Sequence, residues 1–256
     1  MVYNMGKSET FIWAHRGASG YITDNTLDGF KLAIEQKADG IESDVTLTKD
    51  NIPIFFHDYH IYYHGNKTRP KKLTLKEIKE IDLDDKNRKV PTVDEVFYIF
   101  KDIKNSKGKS VRFSLDIDSE QAGILLIEKS KQFNMEERIE LTFDNYSRYK
   151  RYRAISKKIV LVDSAKMNLW KKFSRRIFYN NYDKLRKYKI KAINIKAEDA
   201  NDEIIEDIRK NKFLIYVWDC HEADIITRFI KKGVDAIYTN YPDVAVRIRE
   251  KIRNRL

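Results

Sequence analysis

Nine short apolar, β-branched runs punctuate this chain, and segments of helical period separate most of them. That rhythm limits the fold more than any other feature. Strands are expected at 11–17, 40–47, 52–57, 111–118, 139–144, 159–163, 192–197, 213–219 and 236–240. The segment 26–36 puts Leu27, Phe30, Ala33 and Ile34 on one helical face; 202–210 does the same with Ile204, Ile205 and Ile208, and 223–232 with Ile225, Ile226, Phe229 and Ile230. A last helix is expected over 244–252. Parallel strands need crossovers, so this alternation predicts a parallel sheet covered by helices. Runs 40–47 and 52–57 are too close for a crossover, and Thr48-Lys49-Asp50-Asn51 between them reads as a hairpin turn. Counting that pair once leaves eight βα units in 256 residues, the size of a TIM (β/α)8 barrel. A doubly wound open sheet is the alternative, but neither G-x-G-x-x-G nor G-x-x-x-x-G-K-[ST] occurs to support a nucleotide cradle.

One stretch breaks the rhythm. Residues 59–90 are polar, Lys-rich and long for a loop, so a small insertion after the hairpin is expected, with a short helix over 73–83. The whole of 1–256 is read as a single barrel domain. No run of 18 apolar residues appears, so no membrane-spanning helix is expected. The first ten residues lack the apolar core of a secretory leader. The one cysteine, Cys220, can build neither an internal disulfide nor a thiolate zinc site, which suits a reducing, cytoplasmic setting.

Chemistry-bearing residues gather at strand ends. The first strand ends Ala14-His15-Arg16-Gly17, the second carries Glu42-Ser43-Asp44, and the hairpin returns with Phe56-His57-Asp58. Residues i and i+2 of a strand share a face, so Glu42 and Asp44 present two carboxylates together. Carboxylates held close repel unless they are protonated or bridged by a cation. Oxygen-only ligands suit Mg²⁺ or Ca²⁺. A third carboxylate, Asp116, lies near the end of the strand at 111–118. Singly these pieces are weak: Glu-x-Asp is most often a solvated strand edge, His-Asp a local hydrogen bond, Arg-Gly a turn. Together, at the C-terminal ends of successive strands, they fall on the face where barrel sites are built.

The ordered set His15-Arg16-Gly17, Asn25-Thr26, Asp39-Gly40-Ile41-Glu42-Ser43-Asp44-Val45, Thr48-Lys49-Asp50, Phe56-His57-Asp58, Val90-Pro91-Thr92-Val93-Asp94-Glu95, Thr142-Phe143-Asp144, Val217-Trp218 and Gly233 to Pro242 resembles the glycerophosphodiester phosphodiesterase family over nearly the whole chain. The resemblance implies a TIM barrel with a small insertion, and hydrolysis of glycerophosphodiesters to glycerol 3-phosphate and an alcohol. It implies His15 and His57 as the acid/base pair, and Glu42, Asp44 and Asp116 as ligands of a divalent cation. It also implies Arg16 on the phosphate, with attack by the neighbouring glycerol hydroxyl through a cyclic phosphate. The chemistry agrees: a phosphodiester is an anion with poor leaving groups, so charge must be neutralised and protons moved, and imidazole titrates near neutrality.

Three departures from the family pattern stand out. Thr23-Asp24-Asn25-Thr26 replaces Pro-Glu-Asn-Thr, Asp116-Ile117-Asp118 replaces Glu-Ile-Lys, and Trp218-Asp219-Cys220-His221 replaces Trp-Thr-Val-Asn. Asp118 removes a cation; Lys196, at the end of a later strand, is the expected substitute in substrate binding, and Trp218 the expected apolar wall for the glycerol backbone. Altered substrate choice is the main expectation. A catalytically altered or inactive member that binds anionic lipid or another anion is the alternative.

Charge adds one further expectation. The net charge is +11, yet residues 145–191 alone hold 16 Lys/Arg against Asp163 and Asp183. Within 166–179, Leu169, Trp170, Phe173 and Ile177 share a helical face. A barrel helix with its basic face in water explains this most simply; contact with an anionic membrane surface comes next, giving a cytoplasmic protein with possible membrane association. Nucleic acid comes third, since no recognition module is visible.

Overall fold

The computed structural model describes residues 9–143, 146–165 and 182–255. In chain order the elements are β1 (Phe11–His15), α1 (Leu27–Glu35), β2 (Gly40–Leu47), β3 (Pro53–Phe55), β4 (Ile61–Tyr63), β5 (Asn66–Thr68), α2 (Leu75–Glu80), α3 (Val93–Phe100), β6 (Arg112–Ile117), α4 (Glu120–Gln132), β7 (Ile139–Phe143) and α5 (Tyr146–Ile155). They continue with β8 (Val160–Ser164), α6 (Tyr182–Lys187), β9 (Ala192–Lys196), α7 (Asp202–Lys210), β10 (Leu214–Trp218), α8 (Ala223–Lys232), β11 (Ala236–Thr239) and α9 (Pro242–Arg253). Parallel pairing runs β1-β2-β6-β7-β8-β9-β10-β11 and returns to β1, so eight strands close a barrel. The TIM barrel expected from the rhythm is present, and all nine expected strands form. β3 pairs antiparallel with the end of β2, as the Thr48–Asn51 turn predicts.

Alternation along the strands sorts the side chains. On β2, Ile41 and Val45 join the helix-packed core, while Gly40, Glu42 and Asp44 take the inner face. Trp13, Val162, Ala192, Tyr216, Ala236 and Tyr238 form a separate buried cluster that plugs the barrel below the site. Gly40 is required there, because a Cβ on it would lie 2.5 Å from the Trp13 indole. The register then sets the site: His15 stands opposite Glu42 on the neighbouring strand, and Asp44 opposite Asp116.

Capping chemistry fixes several helix starts. Thr26 accepts the Gly29 N–H at 3.1 Å at the head of α1. Thr74 with Glu77, and Thr92 with Glu95, form capping boxes on α2 and α3. Thr74 thus starts the insertion helix later than 73, and the extended backbone of Ile81 ends it before 83. The β4–β5 hairpin in the insertion went unpredicted: its strands have three residues each, and His64 and Gly65 in its turn take positive φ of 47° and 75°. Ile54, Ile61, Leu73, Ile78 and Val90 bury together beneath the insertion. The expected amphipathic helix over 166–179 lies outside the described residues, 182–187 and 146–155 being the described helices of the basic segment. In α5, Tyr149 and Tyr152 are fully buried, so these aromatics of that segment serve the core.

The lower pole is tied by a buried ion pair. Arg249 and Asp39, 4% and 2% exposed, are bonded directly; Asp39 Oδ2 also accepts the Ile12 N–H at 2.8 Å, and Arg249 donates to the Thr10 carbonyl at 2.9 Å. This joins α9 to the starts of β1 and β2. Asp39→Ala removes the buried partner of the Arg249 guanidinium, which keeps Glu9 at 3.3 Å, and chemical denaturation should show a loss of up to about 3–5 kcal/mol. A loss under about 1 kcal/mol would mean that water reaches the pair.

Candidate active site

The site begins with the turn after β1. Arg16 and Gly17 both have positive φ, 55° and 81°, and Asn25, also positive at 52°, donates its N–H to the Arg16 carbonyl at 3.0 Å. A Cβ on Gly17 would lie 2.7 Å from the Gly29 carbonyl carbon, so only glycine lets the turn pack on α1. The left-handed conformation at Arg16 aims its backbone N–H at Glu42 Oε2, 3.0 Å away. Non-glycine residues held this way concentrate at functional sites. The Arg16 guanidinium lies between two acids, 3.3 Å from Asp24 and 3.4 Å from Asp44.

Glu42, Asp44 and Asp116 converge, each offering an oxygen within 4.8 Å of the others. Burial, then the charges of Asp44 and Asp116, holds the Glu42 carboxyl well above the ordinary carboxylate range. Burial raises Asp44 as well, against the pull of Arg16. Asp44 Oδ2 is buried without a hydrogen bond. Three hard oxygen donors, their mutual repulsion and a buried oxygen whose contact is the Arg16 ion pair at 3.4 Å together fit a divalent cation of the Mg²⁺ or Ca²⁺ type.

His15 adjoins this cluster, its Nε2 3.9 Å from Glu42 Oε2. Burial foremost, then the Arg16 charge, lowers its pKa to about 4. It is therefore neutral at physiological pH. His57 leaves β3 on the insertion side, 41% exposed, and its Nδ1 lies 2.8 Å from Asp58. A cleft of about 360 Å³ opens there, walled by Asp44, Asp116, His57, Ser164 and two insertion cations, Arg69 and Lys71. Asp118 is exposed on the rim and accepts from the Thr46 hydroxyl at 2.7 Å.

The remaining expected residues lie on another side of the mouth. Lys196 sits 5.6 Å from the Trp218 ring centroid, and its charge meets Glu198 at 3.2 Å and Asp219 at 3.6 Å. Sequence reasoning missed Asn240, whose Oδ1 is 2.7 Å from His15 Nδ1, and gave little weight to His221, whose ring centre is 5.5 Å from that of His15. Position held the signal: both follow strand ends, on the face where His15 lies. Arg69 and Lys71 carried none, because a residue in an insertion has no strand register to place it.

Residues 15–244 match the family model described as the glycerophosphoryl diester phosphodiesterase family. A glycerophosphodiester phosphodiesterase of Caldanaerobacter subterraneus is 31% identical, over 95% of this chain and 99% of that protein. Another, from Bacillus altitudinis, is 25% identical over 95% of this chain and 100% of its own. Among solved structures, a phosphodiesterase from Oleispira antarctica in complex with the product sn-glycerol-3-phosphate superposes with a TM-score of 0.78. It is 20% identical and covers 94% of this chain and 97% of its own. With a family match spanning the barrel and a relative of near-equal length above 30% identity, the chain belongs to the glycerophosphoryl diester phosphodiesterase family of phosphoric diester hydrolases.

Proposed function

We propose that this chain, working as one barrel domain with its insertion at 59–90, hydrolyses glycerophosphodiesters to glycerol 3-phosphate and an alcohol. The observation that carries this is the meeting of three carboxylates with His15 and Arg16 at the barrel mouth, beside a cleft that holds His57. Glu42, Asp44 and Asp116 would hold the divalent cation. That cation would supply positive charge against the phosphate oxygens, where charge builds as the ester bond breaks.

The chain's own groups do the rest. Arg16, already pulled into the acidic cluster, binds the phosphate, and Arg69 and Lys71 add the positive charge that Asp118 does not provide. His15, neutral and buried, takes the proton of the attacking hydroxyl on its Nε2. His57, solvent-exposed and backed by Asp58, hands a proton to the leaving alcohol; it then takes one from the water that opens the cyclic phosphate, while His15 returns its proton to the freed glycerol oxygen. Two imidazoles in unlike surroundings divide acid from base. Trp218 and Lys196 are assigned to the opposite wall, where a substrate phosphate competes with Glu198 and Asp219 for the ammonium as it does with Asp24 and Asp44 for Arg16. Contact with an anionic membrane surface through 145–191 is a secondary reading that rests on the charge of that segment. Among the described residues no helix is long and apolar enough to cross a membrane.

The test is direct. Purified protein given glycerophosphocholine, glycerophosphoethanolamine, glycerophosphoglycerol and a lysolipid should release glycerol 3-phosphate or its lysolipid counterpart from at least one. A chelator should stop turnover, and Mg²⁺ or Ca²⁺ should restore it. No turnover on any substrate with either ion would favour an inactive, anion-binding member.

A further inference from the structure

On the side of His15 away from Arg16 and the acids, polar contacts run outward through Asn240 to His221 and Asp219, the last two being residues in which this chain departs from its family. Asn240 Oδ1 lies 2.7 Å from His15 Nδ1. With the Asn240 amide oxygen, an acceptor only, on this side, Nδ1 carries the proton and Nε2, 3.9 Å from Glu42, is bare. The Asn240 backbone N–H donates to His221 Nδ1 at 3.2 Å. That leaves the His221 proton on Nε2, which lies 3.2 Å from Asp219 Oδ1. The other Asp219 oxygen faces Lys196 Nζ at 3.6 Å. The His221 ring also packs against the His15 ring, tilted by 37°. Asp219 has a φ of 67°, uncommon for a residue with a side chain. From His15 through Asn240 to His221 each bond runs donor to acceptor in one direction, His221 Nε2 then faces the Asp219 carboxylate, and Lys196 meets the same carboxylate from the far side.

We propose that Asp219, His221 and Asn240 are positioning residues that fix the ring orientation and tautomer of His15, with Nδ1 protonated and Nε2 bare toward the acidic cluster. The reason is energetic. A neutral imidazole in water favours neither tautomer strongly, and only the Nδ1–H form can take a proton at Nε2. Asn240 selects that form. His221 holds the Asn240 backbone and blocks one face of the His15 ring, and Asp219, steadied by Lys196, keeps the His221 proton on Nε2. Partners that orient a working histidine in this way are typically worth about 10–100-fold in activity. The inference rests on the reading of His15 as the base, but the state of its ring can be measured without turnover.

NMR of the protein carrying isotope-labelled histidine reports the tautomer. The His15 signal, assigned through His15→Gln, should show Nδ1–H in the unaltered protein. His221→Phe keeps a ring against His15 but removes the bond to Asn240, and should give mixed tautomers. With an active substrate, kcat should fall about 10–100-fold while KM stays within about twofold. Asn240→Asp keeps an acceptor beside Nδ1 and should keep the Nδ1–H signal; Asn240→Leu should lose it. If His221→Phe does not fold, Asn240→Leu against Asn240→Asp tests the same link. An Nε2–H signal in the unaltered protein, or one unchanged in Asn240→Leu, overturns the proposal. An inactive protein with the Nδ1–H signal overturns the function instead and leaves the positioning chain standing.

Discussion

His15→Ala and His57→Ala should each cut turnover of a glycerol diester by about 10²–10⁴-fold, the range that a well-placed proton transfer supplies. Neither change should unfold the protein: His57 is 41% exposed, and His15 lies at the barrel mouth above the packed Trp13 cluster. Matching thermal melts would establish that the losses are catalytic. The assigned roles separate on a second substrate, a glycerol diester with p-nitrophenol as the alcohol. This leaving group departs without a proton, so His57→Ala should recover most of its lost rate there, while His15→Ala should stay as slow as before. The reverse pattern would exchange acid and base. Equal losses on both substrates would mean that the imidazoles act together in binding rather than in proton transfer.

The assignment draws on surroundings that the sequence shows only in part. Both histidines were legible because each ends a strand-like run with a polar neighbour, and the i, i+2 spacing put Glu42 and Asp44 on one face. The closing of the barrel was legible from the count of units, since eight β-branched runs have to bury both faces. Which side chains meet across strands was not legible from patterning, and the grouping of Asp116 with Glu42 and Asp44 came only from the family resemblance. Asp116 opposite Asp44, and His15 opposite Glu42, follow from register, which hydrophobic patterning leaves open between strands that are all alike. Asn240 and His221 reach His15 from the last two strand ends, so nothing local marks them. The aromatic, basic stretch hid a different kind of partner. Tyr149 and Tyr152 look like surface groups among so many lysines and arginines, yet both are buried, with hydroxyls on the Phe143 and Glu120 carbonyls. A tyrosine can enter the core when its polar end finds a partner, and composition does not reveal the partner.

Glu42→Gln should abolish activity and at the same time stabilise the metal-free protein. The carboxylate sits 4% exposed among two other acids, and burial together with their charge raises its pKa well above the ordinary value. A carboxyl whose pKa is higher in the folded chain than in the unfolded one favours folding while protonated. That contribution is complete below the unfolded value and is lost as pH rises through the folded value. At neutral pH the metal-free site therefore carries a penalty that glutamine, uncharged and of the same shape, removes. The gain should be about 1–2 kcal/mol, a few degrees in Tm for a chain of this size. It should shrink to nothing as pH falls toward 4, where the glutamate is itself protonated. Adding Mg²⁺ or Ca²⁺ should reverse the ranking: the cation offsets the repulsion in the unaltered protein and raises its Tm, while the variant, short of one charged ligand, should respond weakly. Turnover should fall at least 10³-fold, since the charge that opposes the phosphate is no longer held in place. Melts at several pH values, with and without cation, read all of this apart from any assay. A variant less stable than the parent at neutral pH without metal would show that Glu42 is held by hydrogen bonds strong enough to outweigh its neighbours, and that the three acids are not poised for an ion.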